Sequence, residues 1–358
     1  MDTKCEILNY SEVRKAIRFD NPKRPPLCAM LWHNQDTLDC YGEDFTSLLK
    51  QYPDDVLAVH IGIYYHQSSK SDDPNYRWAY KGWQMPQKAA IDNCPLINDW
   101  ETELDKFIAD MPDPYREDAF DEVAASSKAY PERYILVNWG HYLHQRLCYI
   151  RGTENLLCDM YDNVKNLHCL MDSLLEFYSV WAKRTAENGG HGVWAGDDLG
   201  MQTSLFMSPE KFREVYKPYY KALADVLHDN GLDFWLHTCG NVYDIMEDLI
   251  ESGVDVIHPI QAGCMDAERT VQDFGVRIAF WAGMDVQQVI PFGNPQSIKE
   301  EIRKHADIFY NSKGGIVYGA GNAIMKGAPV ENVKAYVETL TEFCLEKMQI
   351  TLNVQKRY

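Results

Sequence analysis

Short, nearly continuous apolar runs recur along the whole chain, at 26–32, 55–63, 134–139, 193–198, 233–239, 254–260, 277–283 and 314–321. Runs of this length without polar alternation suit strands buried on both faces, as in parallel sheets covered by helices. Between them the apolar spacing lengthens to three and four residues. Ser208-Pro209 supplies an N-cap and a first-turn proline, and Phe212, Val215, Tyr216, Tyr219, Leu223 and Leu227 form one face of a helix over 209–230 that stops at Asn230-Gly231. Further helices are expected over 241–252, ending at Gly253, over 295–310, opening after Asn294, and over 329–348, opening with Pro329. The stretch 153–188 predicts two helices meeting near Asp162-Asn163, with Leu156, Leu157, Met160, Leu167, Leu170, Leu174 and Phe177 as core positions. Eight strands alternating with helices predict an α/β fold, a (β/α)8 TIM barrel.

The first half is less regular. Residues 64–133 are long, polar and aromatic, more than a simple strand-to-helix connection needs, and read as an elaboration over the barrel mouth.

Composition narrows the function classes. At 46% hydrophobic and 25% charged, with no apolar run of about 18 residues, the 358-residue chain is neither disordered nor membrane-spanning. Its formal charge of −18 would repel a nucleic-acid backbone or an anionic membrane surface. The first residues contain acidic side chains and no uninterrupted apolar stretch, so a cytoplasmic location is expected. Ten cysteines scattered without close CxxC pairs fit reduced thiols.

In such a barrel the chemistry sits at the C-terminal ends of the strands. Those positions hold Trp32-His33-Asn34, Trp139-Gly140-His141-Tyr142, Asp197-Asp198, His237-Thr238-Cys239, His258, Trp281 to Asp285, and Gly321-Asn322. His237 and Cys239, two apart in a strand, point the same way and offer an imidazole and a thiolate to one soft ion such as zinc. The competing reading is a buried thiol beside a hydrogen-bonded histidine. Of Asp197 and Asp198, one is expected to face the mouth as ligand, base or counter-ion and the other to serve the loop. His33, His141 and His144, crowded by Trp32, Trp139 and Tyr142, suggest a ligand pocket, whereas His191 between glycines reads as loop. Met284-Asp285 reads as a turn into the site. No GxGxxG, GxxxxGK[ST] or GxSxG motif occurs, which leaves nucleotide-binding and serine-hydrolase readings without support.

The segments GDDLGMQTSLFMSPEKFREVYKPYYKAL, LHTCGNVYDIMEDLIESGVDVIHPIQ, FWAGMDVQ and IPFGNPQSIKEEI resemble the uroporphyrinogen decarboxylase superfamily. The likeness covers about 150–340 and is faint over the first 130 residues. It implies one distorted barrel domain over 1–358, with 1–130 as its divergent part, and one of two chemistries: metal-free porphyrinogen decarboxylation, or zinc-assisted methyl transfer to and from a corrinoid. True decarboxylases carry arginines after the first strand to meet the porphyrinogen carboxylates. Here that segment reads LWHNQDTLDCYG, without one, so the methyltransferase branch is the better match. That branch implies zinc on a His-x-Cys pair, matched by His237 and Cys239, and a third ligand near the eighth strand. The corresponding position is Asn322, a poor zinc ligand, which leaves Asp198, His258 or Cys264 to complete the site.

No DxHxxG corrinoid motif is present, so the resemblance implies a corrinoid carried by a separate protein. The expected substrate is a small methylated compound, with Trp32, His33, Trp139, Tyr142, Asp197, Trp281, Met284 and Asn322 lining its pocket and the indoles stacking on a methoxyaromatic ring or a quaternary ammonium. Without a metal, His237, His141 or a protonated Asp198 would supply the proton to the leaving group. Transfer in the reverse direction, onto a thiol or folate acceptor, a decarboxylase and a catalytically silent binding protein are the alternatives. Homologues of this size often dimerise.

Overall fold

The computed structural model describes residues 5–29, 35–61 and 95–355. Its eight strands are β1 (Leu27–Cys28), β2 (Val56–His60), β3 (Tyr134–His141), β4 (Gly192–Gly196), β5 (Asp233–His237), β6 (Val256–His258), β7 (Ala279–Met284) and β8 (Ile316–Ala320). Every one lies within or overlaps a predicted run. All pairings are parallel, in the order β1-β8-β7-β6-β5-β4-β3-β2, which makes a TIM barrel whose ends meet at β1 and β2. No ladder joins β1 to β2 among the described residues. One backbone bond, from the Asp55 N–H to the Leu27 carbonyl at 2.7 Å, and two side chains tie them: the Ala29 N–H donates to Asp54 at 2.6 Å and the Leu27 N–H to Asp55 at 2.6 Å.

Side chains alternate across the barrel wall, as strand geometry requires. Tyr134, Leu136, Trp194, Trp235, Val256, Trp281 and Val317 pack together inside the barrel. The intervening Ile135, Val137, Phe234, Leu236, Ile257 and Phe280 pack outward under the helices. Trp281 meets Trp194 and Trp235 edge-on, with ring centroids 5.5 and 5.7 Å apart, so three indoles form a dry layer within the barrel.

The helices follow their sequence signals closely. The 153–188 stretch divides into Thr153–Asp162 and Val164–Glu187, and all the expected core positions are buried except Leu157, which is half-buried. The 209–230 helix is split into Pro209–Val215, capped by Ser208, and Lys217–Asp229. Pro218 is the reason: without an N–H it opens a new helix at Lys217 rather than continuing the first. The 241–252 stretch is a 3-10 turn at Tyr243–Ile245 followed by Met246–Ser252. The last helix runs on to Gln355.

Helix Pro295–Phe309 opens with a capping box, in which Asn294 accepts from the Ser297 N–H and Ser297 from the Asn294 N–H. Asn294→Ala is expected to lower stability by about 1 kcal/mol in urea unfolding, and an unchanged midpoint would show that water serves the helix end equally well.

Within the elaborated 64–133 region, residues 64–94 lie outside the described residues. The remainder is helical and belongs to the barrel wall: Trp100–Ala109 packs on Val164–Glu187, and Asp121–Ala129 on β2 and β3. No helix among the described residues is long and apolar enough to cross a membrane.

Candidate functional site

Alternation along β5 puts Trp235, His237 and Cys239 on one side, rising from the indole layer to the mouth. His237 is buried, and Cys239 stands above it, partly exposed. From the end of β4, Asp198 reaches the same point. His237 Nε2 lies 3.6 Å from Asp198 Oδ1 and 3.4 Å from Cys239 Sγ, and one donor atom from each of the three falls within 4.8 Å of the other two.

Backbone bonds hold this trio. The Cys239 N–H donates to Asp198 Oδ1 at 2.8 Å, the Asp197 N–H to the His237 carbonyl at 2.7 Å, and the Leu199 N–H to the Thr238 hydroxyl at 3.1 Å. The two loops pass so closely that only glycine fits at the crossing. A Cβ on Gly240, whose φ is +85°, would stand 2.3 Å from the Gly200 carbonyl carbon.

Each group carries the protonation its surroundings impose. Burial over the indoles pushes the His237 imidazole down to about 3, so it is neutral at ordinary pH. Burial, with the Asp198 charge next in weight, pushes the Cys239 thiol up to about 12. Burial also raises Asp198, opposed by the Cys239 N–H and the Gln145 amide. A neutral imidazole, a thiol and a carboxylate crowded together without a cation destabilise one another's charged forms. A divalent cation reverses that preference.

The donor set of one nitrogen, one sulfur and one carboxylate oxygen suits zinc in a site that keeps a fourth position open. Cys239 borders a small, partly open pocket also lined by Gln261, Asp285, Gln287 and Asn322, while Met284, which the turn was expected to bring into the site, is buried beneath it at 1% exposure. Asn322 donates from its amide towards Cys239 Sγ at 3.6 Å, so it supports the sulfur as a neighbour.

Several expected site residues stand elsewhere. Trp139 stacks on Tyr178 and meets Trp181 edge-on, with its indole N–H towards Thr185, and Tyr142 packs among Tyr178, Tyr220 and Phe234. Both face the helical layer. Trp281 is inside the barrel but below the mouth, under His258 at 4.1 Å between ring centroids. All three are essentially fully buried, so none offers a ring to a ligand.

Asp197 is buried as a helix cap: it accepts the His144 and Gln145 N–H groups at 2.9 and 2.7 Å and the Tyr220 hydroxyl, while burial raises its carboxyl to about 6. His258 lies behind His237 with both ring nitrogens engaged, at 2.7 Å from His237 Nδ1 and 2.9 Å from the Ala320 carbonyl, and Cys264 is not in the cluster. His144 is enclosed by Tyr216 and Cys148. Trp32 and His33 lie outside the described residues.

His141 acts at one remove, through a residue the sequence reading passed over. Its Nδ1 donates to Gln145 Oε1, its Nε2 accepts from Tyr149 at 2.9 Å, and the Gln145 amide donates to Asp198 Oδ2 at 2.8 Å. Gln145 follows His141 by four residues, across the turn from the end of β3 into helix Leu143–Arg151, and that closeness in the chain is the only signal that pointed to it. Gln261, the second residue missed, closes the HPIQ segment and accepts the Gly240 N–H at 2.7 Å.

The family model for uroporphyrinogen decarboxylase (URO-D) matches residues 145–343, more than half of the chain. This chain belongs to the uroporphyrinogen decarboxylase family. Among curated relatives, a methylated-thiol–coenzyme M methyltransferase of Methanosarcina mazei is 23% identical over 194 residues, covering 54% of this chain and 49% of that protein. A uroporphyrinogen decarboxylase of Prochlorococcus marinus is 26% identical over 181 residues, covering 48% and 47%. The chain thus spans about half the length of the curated relatives it matches. Among solved structures, a methyltransferase from Methanosarcina mazei superposes with a TM-score of 0.68 at 15% identity, covering 94% of this chain and 99% of that one, which shows a shared fold. The uroporphyrinogen decarboxylase family match includes Asp198, His237, Cys239, His258 and Asn322.

Proposed function

We propose that this protein is a methyltransferase that moves a methyl group between a small methylated substrate, best a methylated thiol, and a corrinoid carried by a separate protein. The observation that carries this is the convergence of Asp198, His237 and Cys239 beside an open pocket. The M. mazei relative named for a methylated thiol agrees with it. A methoxyaromatic substrate is less well served, because no aromatic side chain is among the described residues lining the pocket. Among the described residues no lysine or arginine lines it either, which fits a porphyrinogen with its many carboxylates less well.

In the transfer, the bond between methyl carbon and sulfur breaks, the methyl group leaves towards the corrinoid, and the bonding electron pair stays on sulfur. Zinc held by Asp198, His237 and Cys239 would supply the Lewis acidity that steadies this charge. The chain's own residues do the positioning. Asn322 and Gln261 present amides at the pocket, and the Tyr149–His141–Gln145 chain holds Asp198 in place.

The test is elemental analysis of protein purified without chelator or histidine tag, wild type beside Cys239→Ser, followed by methyl transfer to free cob(I)alamin from methylated thiols and from methoxyaromatics. Near-stoichiometric zinc that is lost in the variant together with methylthiol turnover is expected. Wild-type protein that takes up no zinc even when it is supplied would overturn the metal assignment, and transfer from methoxyaromatics alone would overturn the substrate class.

A further inference from the structure

His258 is buried, touches neither the pocket nor the cluster of donor atoms, and is paired with His237 through the nitrogen that His237 does not turn towards Asp198 and Cys239. The direction of that pair follows from its far end. His258 Nε2 lies 2.9 Å from the Ala320 carbonyl oxygen, which can only accept, so Nε2 carries the His258 proton. A neutral imidazole has one N–H, which leaves His258 Nδ1 as an acceptor. The short 2.7 Å contact with His237 Nδ1 then needs its proton on His237. His237 in turn keeps Nε2 without a proton, as a lone pair aimed at Asp198 Oδ1 and Cys239 Sγ.

We infer that His258 is a positioning residue that locks His237 into the one tautomer able to bind a metal ion through Nε2, by relaying the hydrogen-bond direction of the Ala320 carbonyl from β8 across to β5. The inference rests on the proposed metal site. The β5 and β6 ladder sets the two rings side by side, tilted by 34° with centroids 5.0 Å apart, by pairing His237 with His258 in register, and Trp281 supports the second ring from below. Both rings are buried, at 6% and 1% exposure, where an unpaired imidazolium would be costly, and a neutral ring carries one proton, so the chain has a single polarity. Histidines on metals commonly donate their second N–H to a carbonyl or carboxylate, and here a neutral imidazole stands in between.

Three substitutions separate this role from simple packing. An asparagine at 258 can place an acceptor oxygen where Nδ1 stands, a glutamine can place a donor where Nε2 stands without an acceptor for His237, and a leucine provides neither. Zinc affinity measured by chelator competition is expected to fall by roughly 10–100-fold in His258→Gln and His258→Leu and to stay near wild type in His258→Asn. Nitrogen-15 spectra of histidine-labelled, metal-free wild-type protein are expected to show His237 protonated at Nδ1 and His258 at Nε2.

Unchanged affinity in all three folded variants, equal loss in all three, or His237 protonated at Nε2, would overturn the relay. If the wild type binds no zinc, the metal reading fails, and the nitrogen spectra still decide the relay by themselves.

Discussion

Gly240→Ala is expected to weaken zinc binding by roughly 10–100-fold while the barrel stays folded, and Gly231→Ala to leave it unchanged. Both glycines have positive φ, +85° and +72°, and each alanine meets the same left-handed backbone cost of about 1–2 kcal/mol. They differ in what the new methyl group meets. At Gly231, past the end of helix Lys217–Asp229, nothing lies within 4 Å. At Gly240 the neighbours are Gly200 C and O at 2.3 Å and Met201 O at 2.6 Å, all backbone, so the β4 loop must retreat by about 1 Å to reach ordinary contact. That loop carries Asp198, while Gly240 follows Cys239 directly. Ligand distances in metal sites tolerate only about 0.2 Å, so a displacement of this size parts the carboxylate from the thiol. Chelator competition on both variants, with circular dichroism to check folding, provides the comparison. Equal affinities would mean that the loops flex enough to rebuild the site, and that Asp198 is not held by this crossing.

The barrel was legible because its signals are local. Eight apolar runs and caps such as Ser208-Pro209 and Asn294-Pro295 fix element type within a few residues, and the split of the 209–230 helix follows from a single residue, Pro218. The His237 and Cys239 pair was legible for the same reason: a spacing of two in a strand is enough to align them.

The remaining site depends on which side of the wall a residue faces and on what comes from other strands. Trp139 and Tyr142 stand at the end of β3 beside His141, yet a register shift between Asn138 and Gly140 and the tight turn into helix Leu143–Arg151 place both outward. Asp197 and Asp198 are adjacent and chemically identical. Only the N-terminus of that helix, which takes Asp197 as its cap, decides that Asp198 is the one left for the mouth. His258 has the chemistry of a ligand, and its exclusion from the cluster follows from the Ala320 carbonyl, 62 residues away.

Asp55→Ala is expected to destabilise the protein by about 3–5 kcal/mol. Asp55 is fully buried at the only place where the barrel is not closed by a ladder among the described residues. Its carboxylate accepts two bonds from the Arg24 guanidinium, at 2.7 and 2.9 Å, and one each from the N–H groups of Leu27 and Leu8, at 2.6 and 2.7 Å. It therefore joins β2 to β1 and to the N-terminal segment with one side chain. Truncation leaves a buried guanidinium, 2% exposed at its side chain, with the Pro25 and Glu6 carbonyls but no counter-charge, and takes the acceptor from two N–H donors. For a chain of this size the loss corresponds to a fall in melting temperature of roughly 4–7 °C. Removing the stranded charge separates the terms: Arg24→Met added to Asp55→Ala is expected to recover part of the loss, because an apolar side chain in place of an unpaired cation no longer carries a desolvation cost. Recovery would assign the cost to the orphaned charge. A double variant no more stable than the single one would assign it to the lost backbone acceptors, and a melting temperature unmoved by Asp55→Ala would show that the seam between β1 and β2 holds without this carboxylate.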